Sequence, residues 1–177
     1  SNILRTFLIF IDIVFLVNLA PLIRQKAYKV VLFIAIILGL VGTLLLVLFV
    51  NLLTAGITLF GLFVYLVLYS FFKYRSVHGT LIGSIAGAVP PAVGYCAVSH
   101  RFDLGALLLF LMLVLWQMPH FYAIAIYRLK EYAAASIPVL PIQKGIHSTK
   151  VQMVLYIVAF IAASCMLTVL GYTGYLY

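Results

Sequence analysis

The chain has 177 residues, of which 67% are hydrophobic and only 8% charged, and its mean hydropathy is +1.27. A soluble domain carries roughly a quarter charged residues, so that class is excluded. Eleven Lys and Arg against Asp12, Asp103 and Glu131 give a net charge of +8, but they sit in short gaps between apolar runs, which argues for a membrane protein and against a nucleic-acid binder.

A membrane helix needs about 20 mostly apolar residues to cross about 30 Å of hydrocarbon. Six stretches meet that need: 7–23, 30–50, 52–72, 79–99, 104–127 and 151–171. The expected fold is therefore an all-α, polytopic transmembrane bundle forming one domain over residues 1–177. The first stretch is the shortest and holds Asp12, Asn18 and Pro21. One preceding Arg and no small-residue cleavage site distinguish it from a signal peptide. Between the second and third stretches, Asn51, Thr54, Ala55 and Gly56 favour a tight hairpin over one long helix. In 79–99, Gly83 and Gly87 allow close helix approach, and Pro90–Pro91 are expected to break the hydrogen-bond ladder beside a cavity.

The stretch 104–127 reads LGALLLFLMLVLWQMPHFYAIAIY, and its Pro119 should bend the helix or loosen a turn. Gln117, His120, Tyr127 and Glu131 follow at spacings of three, seven and four, which predicts one polar face turned to the bundle interior. Interhelical hydrogen bonding alone is the competing explanation of that face. Segment 128–150, RLKEYAAASIPVLPIQKGIHSTK, is expected to be the largest polar loop. Cys96 and Cys165 lie in apolar runs and form no metal or redox motif.

Alternate gaps divide the cations unevenly. One set holds nine: Arg24, Lys26, Lys29, Lys73, Arg75, Arg128, Lys130, Lys144 and Lys150. The other holds Arg5 and Arg101. The positive-inside rule places the nine in the cytoplasm. Each of these cations alone is accounted for by lipid head groups. Together, the Arg and Lys of 73–78 and 128–150 also suit an anionic substrate such as a diphosphate.

Three segments, YSFFKYRSVHGTLIGSIAGAVPPAVGYCAV, LWQMPHFYAIAIYRLKEY and IPVLPIQKG, together resemble the protohaem IX farnesyltransferases of the UbiA superfamily of intramembrane prenyltransferases. The resemblance covers residues 61–177. It implies an enzyme of the bacterial inner membrane, with its active face cytoplasmic, that ionises farnesyl diphosphate at Mg²⁺ and joins the allylic cation to a haem B vinyl group. Water then completes the side chain of haem O. On that resemblance Asp12 and Glu131 hold the metal, and Asp12, Glu131 and Tyr132 are catalytic. Lys73, Arg75, Arg128 and Lys130 bind the diphosphate, and His120 contacts haem. Phe121, Tyr122 and Tyr132 offer aromatic faces to the cation. The implied partners are haem B, farnesyl diphosphate, membrane lipid and haem-handling or oxidase-assembly proteins.

The family's early Asn-x-x-x-Asp-x-x-x-Asp run is not kept: Leu8 and Leu16 flank Asp12 where Asn and the second Asp belong. Residues 1–25 are thus an atypical first span, and the chain is expected to be part of a larger bundle, without turnover by itself. Two alternatives remain. One is an inactive relative that binds haem or prenyl lipid. The other is a structural oxidase-assembly protein, which predicts no polar cavity behind 104–127.

Overall fold

The computed structural model describes residues 25–174, with side chains from Phe33 onward. The expected span 7–23, and with it Asp12, Leu8 and Leu16, lies outside the described residues. The described chain is helical, with no strand. Its elements are α1 (Gln25–Phe49), α2 (Leu52–Phe72), α3 (Gly79–Ser99), α4 (Leu104–Tyr127), the short α5 (Leu129–Ala134) and α6 (Leu140–Val169). Helices α2, α3, α4 and α6 are long and apolar enough to cross a membrane, and Phe33–Phe49 of α1 is a shorter apolar helix.

The boundaries have local causes. Val50 and Asn51 alone separate α1 from α2, as the hairpin reading expects. Asn51 caps α2 by accepting from the Thr54 amide at 2.7 Å, and its Nδ2 donates to the Cys96 carbonyl of α3 at 3.2 Å. Helix α3 stops at His100, whose φ of 55° is left-handed. Asp103 then starts α4 by accepting from the Gly105 and Ala106 amides at 3.0 and 3.2 Å.

Each long helix packs on its predecessor, α2 on α1, α3 on α2, α4 on α3 and α6 on α4. Short connections make successive spans antiparallel. Helix α2 meets α3 closely at Gly61, where a Cβ would stand 2.7 Å from Val89 Cγ1. Leu108 and Met112 of α4 bury against Ala163 and Leu167 of α6 in one half of the bundle. Met118 and Tyr122 bury against Leu140 in the other. Outward residues such as Leu40, Leu48, Leu155 and Val158 are large, apolar and exposed, as lipid contact requires.

One expectation changes, and the helices hold two further features. Segment 128–150 is not one loop: α5 and a turn lead into α6, which starts at Leu140 rather than at 151. Pro141 stands in the first turn of α6, where its missing N–H is harmless, and Gly145 at φ 80° takes up a kink inside the helix. Helix α3 runs unbroken through Pro90–Pro91, and α4 through Pro119. Each proline still withdraws one backbone donor from the carbonyl four residues earlier. Finally, Val64–Tyr69 of α2 is a π-helical stretch.

Candidate functional site

Between α2, α3 and α4 lies a cavity of about 780 Å³. Its mouth is at the end of the bundle where α2 stops, α3 starts and α4 gives way to α5. Lys73, Ser76, Arg128, Glu131 and Tyr132 line that mouth. Its walls carry Tyr65 and Tyr69 from α2, Gly83 from α3 and Phe121 from α4. Its inner end, at mid-span, is made by Gly61, Ala86, Gly87, Pro90 and Gln117.

The wall from α2 repeats every fourth residue, Gly61, Tyr65, Tyr69 and Lys73, which brings a ring and then a cation to one side. Tyr65 and Tyr69 stack with centroids 5.5 Å apart and planes 17° from parallel. Lys73 Nζ stands 5.7 Å from the Tyr69 ring centre and 5.5 Å from that of Tyr74, so aromatic faces hold the ammonium at the mouth. Arg128 closes α4 with φ −100° and ψ 30° and faces Glu131, Nη1 to Oε2 at 3.4 Å. Both side chains are more than half exposed, so the pair adds little stability and leaves the guanidinium open to another anion.

The structure divides the residues singled out in the sequence. Lys73, Arg128, Glu131, Tyr132 and Phe121 line the cavity. Arg75 lies outside the lining, its guanidinium 4.2 Å over the Phe71 ring, and Lys130 is exposed outside it too. Tyr122 is buried between α4 and α6, its hydroxyl donating to Gln152 Oε1 at 3.3 Å, so it offers the cavity no ring face.

The expected polar face of α4 splits. Gln117 enters the cavity at 8% exposure, whereas Tyr127 is 88% exposed. His120 stacks on Trp116, centroids 5.4 Å apart, in a shallow outer depression with Ala123, Ile124 and Tyr127. Helical phase explains the split. At about 100° per residue, Phe121, Ile124 and Arg128 fall within about 40° of Gln117, while His120 and Tyr127 fall about 60–80° to one side. Because α4 ends before Glu131, that carboxylate is placed by α5 and not by the helical count. Ile124, Arg128 and Tyr132 line both the cavity and the depression, so they form the wall between them.

Carboxylates are scarce. Among the described residues no three His, Cys, Asp or Glu gather as a metal site, and Glu131 is the cavity's sole carboxylate. Mg²⁺ needs more oxygen ligands than that, so the described residues do not by themselves make its seat. Asp103 sits at the opposite end, beside Arg101 at 3.0 Å and Tyr95 at 3.1 Å. Partial burial pushes its carboxyl up, but the Ala106 amide, the Tyr95 hydroxyl, Arg101 and the Gly105 amide together hold it below the ordinary aspartate range.

A membrane helix bundle whose cavity runs from a cationic mouth to an apolar, aromatic interior defines a class: an intramembrane cavity with the chemistry to suit a charged head and an apolar tail. The model of the UbiA prenyltransferase family matches residues 21–177, and the chain belongs to that family. It is 56% identical over 140 residues to the protoheme IX farnesyltransferase of Protochlamydia amoebophila, covering 79% of this chain and 50% of that one. It is 57% identical over 143 residues to protoheme IX farnesyltransferase 2 of Chromobacterium violaceum, covering 80% and 47%. Against the protoheme IX farnesyltransferase of Yersinia enterocolitica the identity is 55% over 150 residues, covering 84% and 51%. The chain thus spans about half the length of the curated relatives it matches. No solved structure matches it.

Proposed function

We propose that the protein transfers the farnesyl group of farnesyl diphosphate to a vinyl group of haem B, giving haem O for respiratory oxidases. One observation carries this reading: a chain 56% identical over 140 residues to a relative named protoheme IX farnesyltransferase has a cavity that joins a cationic mouth to a greasy interior. The diphosphate lies at the mouth, where Arg128 offers a fork of donors and Lys73 a point charge. As the C1–O bond of farnesyl diphosphate breaks, negative charge grows on the leaving group, and both cations interact more strongly with it than with the ground state. The farnesyl tail runs inward between Tyr65, Tyr69 and Phe121.

Haem B lies against the outer depression, with His120 as its contact, and its vinyl group meets the farnesyl C1 at the rim where Arg128 and Tyr132 line both openings. Tyr132 is then the aromatic face nearest the developing allylic cation. Mg²⁺ supplies charge on the diphosphate when bound. Glu131 offers it one oxygen, and Asp12 is the candidate for another. A structural oxidase-assembly role is disfavoured by the polar cavity behind α4. By the positive-inside rule, the face that carries the mouth, with Lys73, Arg75, Arg128 and Lys130, is the cytoplasmic one. Single cysteines at Ser148 and Ser99 should then label from opposite sides of the membrane, and labelling from one side would refute the topology.

The test is haem O formation from haem B and farnesyl diphosphate in membranes holding the protein expressed from its own gene. Product that disappears in Arg128→Ala and His120→Ala, with membrane insertion unchanged, supports the reading. No product from the natural protein, with farnesyl diphosphate or haem still bound, makes it an inactive binding relative.

A further inference from the structure

Gln117 is the one strongly buried polar side chain at the cavity's inner end that the reaction above does not use. It is 8% exposed and makes no hydrogen bond to any described residue. Among the described residues, no fully enclosed side-chain nitrogen or oxygen lacks a partner. The Gln117 amide therefore opens into the cavity, not into packed protein. It lies flat against α3 at Gly87, where an added Cβ would collide with Oε1 and stand 3.1 Å from Cδ. Beside it Pro90 and Pro91 withdraw the amide donors that the Ala86 and Gly87 carbonyls would otherwise receive. Beyond its charged mouth the cavity is largely apolar and aromatic, and it ends at this carboxamide.

We propose that Gln117 is the floor that sets the longest prenyl tail the cavity accepts. The proposal rests on the cavity being a prenyl diphosphate site. Two helices give the depth independently. Arg128 is eleven residues beyond Gln117 on α4, or about 16 Å at 1.5 Å per residue, and Pro90 is ten residues beyond Thr80 on α3, or about 15 Å. The twelve-carbon backbone of a farnesyl tail extends about 14 Å at ordinary C–C bond lengths, so its last methyls arrive at the amide. A tail one isoprene longer must press hydrocarbon onto the carboxamide and close it off from solvent, leaving a buried donor and acceptor unpaired. The amide stops the tail by bulk and by polarity together.

Binding of the non-hydrolysable thiodiphosphates of geranyl, farnesyl and geranylgeranyl alcohol to the natural protein and two variants tests this. The natural protein is expected to bind the farnesyl compound about ten- to hundredfold more tightly than the geranylgeranyl one, the factor that one unpaired amide produces. Gln117→Ala removes four heavy atoms, close to one isoprene unit, and is expected to erase that preference by tightening the longest compound. Gly87→Ala forces the carboxamide further into the cavity and is expected to move the optimum the other way, from farnesyl towards geranyl. These opposite shifts are not what general destabilisation produces, and the Gly87 variant decides the matter where the Gln117 variant does not fold. Equal affinity of the natural protein for the two longer compounds, or a length preference unmoved by Gly87→Ala, would overturn the inference and leave the proposed function standing. No binding of any of the three would overturn both.

Discussion

Arg128→Ala is expected to weaken binding of farnesyl thiodiphosphate about thirtyfold. Opposite unit charges about 4 Å apart attract by about 4 kcal/mol at an effective dielectric constant near 20. Arg128 does not deliver all of that, because its side chain is 57% exposed and Glu131 already stands 3.4 Å from Nη1. Halving the attraction for water and for the shared carboxylate leaves about 2 kcal/mol, within the range for a hydrogen bond to a charged group and equal to about thirtyfold in affinity. Lys73→Ala should produce a loss of the same order. Arg128→Lys should fall between, since it keeps the charge and gives up the fork. Arg75→Ala and Lys130→Ala should change affinity less than about threefold, because neither lines the cavity and exposed distant charges are screened. The assay is equilibrium binding of the labelled analogue in detergent at constant ionic strength. Equal losses from all four alanine variants would mean a diffuse cationic face attracting any anion, and would refute a seat built from Lys73 and Arg128.

Gly61→Ala should destabilise the bundle by about 1–3 kcal/mol, because its Cβ meets the buried, branched Val89; an unchanged melting temperature would contradict the close α2–α3 approach. Trp116→Ala should cost under about 1 kcal/mol, well below the 3–5 kcal/mol of a well-buried ring, because the indole is half exposed towards lipid, which differs little from a helix neighbour in polarity. A large drop in detergent unfolding temperature would show that the ring is packed. Asp103 has a folded-state pKa below its unfolded value, so its ionised form stabilises above that unfolded value and the contribution fades as pH falls through the lowered one. Below about pH 4 the natural protein should therefore lose thermal stability faster than Asp103→Asn, and parallel pH profiles would refute the cap.

Hydropathy and turn chemistry located most of the described bundle. The ends of α3 and α4 fall where the sequence puts them, because His100, Arg101 and Asp103 interrupt the apolar run and supply the left-handed stop and the cap. The start of α6 was not legible, since Lys144, His147, Ser148 and Lys150 give its first turns the composition of a loop while Pro141 launches a helix. At the site, Lys73, Arg128, Glu131 and Tyr132 come together at one mouth, while Arg75 and Lys130 stand outside it. The four-residue spacing of Gly61, Tyr65, Tyr69 and Lys73 does not by itself put them on one face, because an ordinary α-helix spreads them over about 120°. Grouping Gln117 with His120 and Tyr127 failed for a different reason. Intervals of three and seven place residues near each other on a helix, but the wall between a cavity and a membrane face is only tens of degrees wide.

That same four-residue spacing has a consequence for how the chain tolerates change in length. On an uninterrupted α-helix, twelve residues from Gly61 to Lys73 would drift about 120° around the axis, carrying the ammonium off the cavity wall. The π stretch Val64–Tyr69 turns less per residue, and over its six residues it winds the helix back by about 100°. It works like a vernier between two scales, bringing the glycine at the inner end and the lysine at the mouth onto one line. The position of Lys73 is thus governed by the count of residues between them as well as by their identity. Loss of Leu66, Val67 or Leu68 would let the stretch relax to ordinary α-helix, whose eleven remaining steps turn about 1100°, so the cation would keep its place on the wall. Gain of one residue, by contrast, would carry it about a quarter turn away.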